Sequence, residues 1–202
     1  MKKYKKDVVV NLVLSRMWIP KCLASTRQLN STLNDLKKMR AFRNISKRQQ
    51  DQLKAIYPVL DNKIGEKIDD WPCVAITVFD HWLTRKEFEQ YFTNRSLDQQ
   101  TEIDLRWKPF YGFLAKDVSC YLYKYRSVGR VIFKEPRSSS LFFQWLSRSP
   151  AAGGGQVVIP EYKAVLVQDN DDTCWLYFYC RKSVEPLLRE IRKLGMYTLE
   201  RI

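Results

Sequence analysis

Two pairs of short β-prone runs are separated by nothing longer than a turn, and this restricts how their strands can pair. Residues 119–126 and 128–134 meet at a short turn around Ser127–Gly129, and residues 162–167 and 174–180 flank Asp169-Asn170-Asp171-Asp172. A parallel neighbour needs a crossover of about a dozen residues or more, so both pairs are expected to be antiparallel hairpins. Further β-prone runs lie at 7–14, 74–79 and 196–202.

Helical patterns fall between them. Over 22–42, Leu29, Leu33, Leu36 and Met39 share one apolar face. Ser46 with Gln49, and Thr84 with Glu87, form capping-box pairs. The first predicts a helix with Leu53, Ile56, Tyr57 and Leu60 inward, ended or kinked at Pro58. The second predicts a helix to about Phe92. A short helix is expected over 139–146. Another is expected with Ser183 as its cap, Leu187, Leu188, Ile191 and Leu194 inward and Gly195 as its C′ residue. The class implied is α+β: a basic strand-plus-helices region at 1–70, then a mixed body at 71–202 with antiparallel hairpins and short helices. Residues 147–156 contain Gly153, Gly154 and Gly155 and read as a mobile loop.

Of the 202 residues, 45% are hydrophobic and 13% aromatic, enough for a folded core. The five cysteines are widely spaced with no C-x-x-C, and His81 is the single histidine. That pattern argues against a disulfide framework and a zinc site, and fits reduced, buried thiols in a cytoplasmic protein. The apolar run 8–14 is too short to be a signal-peptide core or to span a bilayer, so no membrane partner is expected.

Charge is unevenly placed. The formal net charge is +13, yet residues 1–54 hold 14 Lys/Arg against 3 Asp/Glu, while 55–202 hold 21 against 19. A solvated face mixes both signs; an excess of this kind marks a polyanion-binding surface. Lys37, Lys38, Arg40, Arg43, Lys47 and Arg48 crowd into twelve residues across a helix junction. Six phosphate contacts would give a salt slope of about five log units of affinity per log unit of salt.

The order basic arm, strand, helix, helix over about residues 1–60 resembles ribbon-helix-helix DNA-binding modules. The resemblance implies that two copies pair their strands, that Lys3, Lys5 and Asn11 approach base edges, and that Lys/Arg near a helix start hold phosphates. With Val9 and Val13 flanking Asn11, the same run also fits a core strand preceded by a solvated lysine tail. The function expected is DNA binding without catalysis, cofactor or metal. The role would be in transcription regulation or as an accessory factor of DNA transfer or maintenance, with duplex DNA as partner and a homodimer as the assembly.

Two alternatives remain. Tyr121, Tyr123 and Tyr125 alternate on one face of a strand whose other face carries Lys124 and Arg126, with Arg130 and Lys134 on the neighbouring strand. Exposed tyrosines beside cations would stack single-stranded bases, whereas an ordinary half-buried strand turns them inward. Glu161-Tyr162-Lys163 looks like the Glu-x-Lys half of a Mg²⁺-dependent nuclease site, with Asp80 or Asp117 as further acidic ligands. His81 is a candidate general base, but no nucleophile is placed beside it by sequence. The acidic turn at 169–172 lacks the glycine and terminal glutamate of a calcium loop.

Overall fold

The structure, a computed structural model, describes residues 41–61, 68–127, 130–147, 156–169 and 173–201. The arm, the strand expected at 7–14 and the helix expected at 22–40 lie outside the described residues, as do most of the glycine loop and residues 170–172. Arg40–Ile202 forms one compact unit.

The unit is α+β. Its strands are β1 (Phe42–Asn44), β2 (Cys73–Thr77), β3 (Tyr121–Ser127), β4 (Arg130–Pro136), β5 (Gln156–Ile159), β6 (Ala164–Gln168), β7 (Thr173–Phe178) and β8 (Tyr197–Glu200). They form one eight-stranded sheet in the order β1-β4-β3-β5-β6-β7-β2-β8. Every neighbouring pair is antiparallel, including the two expected hairpins, β3–β4 and β6–β7. The helices are α1 (Lys47–Ile56), α2 (Arg85–Phe88), α3 (Leu97–Lys116), α4 (Ser139–Leu146) and α5 (Arg181–Lys193). Because β2 lies between β7 and β8, the last two strands run parallel to one another. Helix α5 supplies the crossover that this geometry needs.

Both faces of the sheet are covered, which explains why its central strands are apolar throughout and do not alternate. Val157 and Ile159, Ala164 and Leu166, and Leu176 and Phe178 pack against Trp107 and Phe110 of α3, Phe142 of α4 and Leu187 and Leu188 of α5. The intervening Val158, Val165 and Tyr177 pack on the opposite face with Tyr123, Val131 and Phe133. Leu53 of α1 and Tyr57, Val59 and Leu60 of the following turn close that second core. Tyr57 is fully buried; its hydroxyl donates to the Ala164 carbonyl at 3.1 Å, and burial pushes its pKa up. The described cysteines are free, with Cys73, Cys120 and Cys174 buried and Cys180 exposed. Burial pushes the Cys120 thiol up to about 12.

Several local patterns behave as the sequence predicts. Ser46/Gln49 and Thr84/Glu87 both form reciprocal capping boxes, and α4 spans the expected residues. After α2 the chain continues as a π-turn over Glu89–Thr93. Gly195 follows α5 with φ +80°, a conformation that costs glycine nothing.

Other expectations need correction. Phe42 is in a strand, not at a helix end: its backbone pairs with Pro136, and its ring meets Phe142 and Trp145 at 5.8 and 4.9 Å. Ser183 does not cap α5. The helix starts at Arg181, and the Ser183 hydroxyl donates back to the Cys180 carbonyl at 2.7 Å. Gln156, assigned to the loop by sequence, opens β5. The longest helix, α3, was not anticipated. It has a capping box of its own at Ser96/Gln99, but Pro109 stands in its interior. Proline removes the hydrogen bond to the Leu105 carbonyl, and both residues are on the exposed side, where water can serve that carbonyl.

One contact ties α1 to the sheet. β1 pairs with β4 only as far as Asn44 opposite Lys134, leaving the backbone of Phe133, the next residue along β4, without a strand partner on that side. The Gln50 side chain takes the place of that missing residue. Its Nε2 donates to the Phe133 carbonyl at 2.6 Å, and its Oε1 accepts from the Phe133 amide at 2.9 Å. Gln50→Leu keeps the bulk and leaves both backbone groups unpaired, so it should lower unfolding free energy by about 1–3 kcal/mol. Urea denaturation of the two proteins checks this; equal midpoints would mean that the Gln50 bonds contribute nothing.

Candidate nucleic-acid interface

Of the residues expected to bind nucleic acid, Lys3, Lys5, Asn11, Lys37, Lys38 and Arg40 lie outside the described residues. Arg43, Lys47 and Arg48 are described, and the fold brings them together at one end of the sheet. Arg43 is in β1, the terminal strand, with its side chain 60% exposed. Its Nε meets Glu135 Oε1 of β4 at 2.7 Å, directly across the strand pair. Arg43 is solvated and Glu135 half-buried, so the pair sets the direction of Arg43 more than it stabilises the fold.

Lys47 and Arg48 occupy the first turn of α1 and are exposed. The N-terminal end of a helix carries the positive end of its dipole and favours Asp or Glu by about 0.3–1 kcal/mol. α1 has no acidic residue in that turn. The two cations therefore sit where helix stability disfavours them, and neither has an ion-pair partner among the described residues. Gln50, one turn further on, fixes the helix against β4 and with it the position of both. The sequence pattern does not reveal Gln50 as a positioning residue, because its partner is 83 positions away.

The hairpin tyrosines divide. Tyr123 is 4% exposed and sits in the second core, and Tyr121 is half-buried against it. Tyr125 alone reaches outward, at 52% exposure, with its ring edge-on to Tyr123 at 6.1 Å. Tyr177 is buried in the second core, while Tyr179 is exposed against Trp71.

Glu161 and Tyr162 are in a one-turn 3-10 helix after β5; the strand expected from Tyr162 begins two residues later, at Ala164. Lys163 ends that helix in the left-handed region at φ 48°. Among the described residues no group of three or more His, Cys, Asp or Glu side chains is placed to hold a metal ion, and no helix is long and apolar enough to cross a membrane.

His81 belongs to a separate cluster beyond the end of β2. Its Nδ1 lies 2.6 Å from Asp80 Oδ1 and its Nε2 3.2 Å from Glu87 Oε1. Two carboxylate acceptors call for two N–H donors, so the geometry is that of an imidazolium. The same Glu87 accepts from the Thr84 amide and hydroxyl through its other oxygen, at 2.8 and 2.7 Å. These bonds hold the Glu87 carboxyl down at about 2, and the two carboxylates hold His81 above its ordinary value. The cluster borders a cavity of about 390 Å³ that Glu102, Arg106 and Tyr197 also line.

No protein-family model matches the chain, and neither a curated protein nor a solved structure is significantly similar to it.

The His81 brace gives a pH signature. A raised histidine contributes stability below the unfolded histidine value of about 6.5, and that contribution is lost as pH rises through the folded value. The depressed Glu87 contributes above about 4.5 and loses its effect as pH falls toward about 2. Wild type should therefore have a higher Tm than His81→Gln near pH 5.5, and the gap should shrink as pH rises into the alkaline range. Thermal melts of both proteins across that range test this; a gap that does not change with pH would contradict it.

Proposed function

We propose that the protein binds nucleic acid without catalysing a reaction, with duplex DNA as its partner, in transcription regulation or as an accessory factor of DNA transfer or maintenance. The observation that carries this reading is the segregation of charge: 14 Lys/Arg against 3 Asp/Glu in residues 1–54 of a chain otherwise near balance. Support also comes from the placement of the described part of that segment. Arg43, Lys47 and Arg48 stand exposed on a rigid sheet end, and the last two occupy a helix turn that structural economy would give to acids. Reading a two-fold DNA site would require paired copies, so a homodimer on DNA belongs to the same proposal.

A salt titration of binding to duplex DNA, single-stranded DNA and RNA, with and without Mg²⁺, tests it. The reading expects duplex binding that weakens steeply with salt, does not depend on Mg²⁺ and leaves the DNA uncut. Charge reversal of Arg43, Lys47 and Arg48 should flatten the slope by about 2–3 log units, at about 0.9 for each phosphate no longer neutralised. Absence of duplex binding at low salt, or an unchanged slope in the reversed protein, would overturn the reading.

A further inference from the structure

We infer that the DNA phosphate backbone is held by a second, non-local group of cations, Lys124 and Lys134 of the β3–β4 hairpin with Arg130 at its tip. The inference rests on the nucleic-acid reading above and extends its site beyond the basic first quarter of the chain.

Strand register places these residues. Lys134 stands opposite Leu122 on one side and Asn44 on the other, and Lys124 stands opposite Ile132. Paired residues of antiparallel strands share a face, and so do residues two apart on one strand. Lys124, Lys134 and Asn44 therefore project from the same face, with the two lysines as diagonal neighbours. Such neighbours are about 7–8 Å apart, close to two axial steps of about 3.4 Å along one DNA strand. Arg43 pairs with Glu135, one position along, so it projects from the opposite face, the one that α1 covers. Cations thus flank the terminal strand on both sides. Lys124 and Arg130 are exposed, Lys134 is half-buried, and none of the three has an ion-pair partner among the described residues.

Charge singles out the same end of the sheet. The segments that build it, 41–61 and 121–138, carry nine Lys/Arg against three Asp/Glu. The rest of 41–202 carries sixteen against seventeen. The body as a whole is nearly neutral, and its positive excess belongs to the two segments that β1–β4 pairing and the Gln50–Phe133 bond bring together. An even distribution would have served solubility equally well; a local excess of six positive charges is an electrostatic footprint for a polyanion. Asn44, the last residue of β1, lies directly beside Lys134, two residues before Ser46 caps the helix that carries Lys47 and Arg48.

The test compares full-length wild type with Lys124→Gln/Lys134→Gln, and with a control, Lys182→Gln/Arg189→Gln. The control removes two exposed cations of α5 that have no ion-pair partner among the described residues. Binding of a labelled 20-base-pair duplex is measured by anisotropy from about 50 to 300 mM salt, and thermal melts confirm that the variants fold. Removing the cations that neutralise two phosphates should flatten the slope by about 1.8 log units and weaken binding at 0.1 M salt by about 60-fold, with the control near wild type. Hairpin and control variants weakened equally would overturn the inference, because the effect would then be one of net charge. A hairpin variant that binds like wild type would overturn the inference and leave the nucleic-acid reading standing. A wild type that binds no duplex overturns both. If it instead binds an acidic protein with the same dependence on Lys124 and Lys134, the surface is a protein-docking site and the inference is wrong.

Discussion

The backbone of Phe133 faces a gap where β1 ends, and the Gln50 side chain fills it with one donor and one acceptor. Sheet edges need closure, because an unpaired strand edge is an invitation to pair with another chain. Here the closure comes from a helix that starts three residues after a three-residue strand. The amide contact fixes α1 along β4. That lets Leu53 and Tyr57 complete the second core and sets the direction in which the first helical turn points. The second core and the cationic end of the sheet both depend on this contact.

A sheet buried on both faces leaves little free surface for chemistry. Its strands are committed to packing, and Tyr123, which would be a base platform if exposed, is part of the core. Exposed side chains are found at the terminal strand β1, the first turn of α1 and the hairpin beside them, as well as at β8 and the cavity beside His81. Cations gather at the first three of these, at positions where they do little for the fold: two at the positive end of a helix dipole, and others without acidic partners. By contrast, Arg181 and Arg192, near β8 at the other end of the sheet, are tied to Glu185, and Arg181 also to Glu200. Lys47 and Arg48 have no such partner among the described residues, and under the nucleic-acid proposal a phosphate backbone would supply it.

Local features were legible in the sequence. The capping boxes at Ser46/Gln49 and Thr84/Glu87, the glycine after α5 and the two hairpins each depend on residues within a few positions of one another. Long-range features were not. Phe42 continues a helical pattern on paper, but the aromatic pocket of Phe142 and Trp145 and a strand partner 94 positions away hold it extended. α3 was hidden by Pro109 and by aromatic residues spread around much of its surface, although its capping box was present. The basic character of the candidate site could be counted directly. That Lys124 and Lys134 stand beside β1 could not, because only the sheet order β1-β4-β3 brings them there.

We propose that nucleic acid docks at the β1–α1 end of the sheet with the adjoining hairpin. The most direct measurement is backbone amide chemical-shift mapping of the full chain as a short DNA duplex is added at moderate salt. Among residues 41–201, the account predicts that the largest shifts fall within 41–50 and 121–137 and that α5 and the His81 cluster stay unmoved. Shifts centred on α5 or on the cavity beside His81, with the sheet end unchanged, would contradict it.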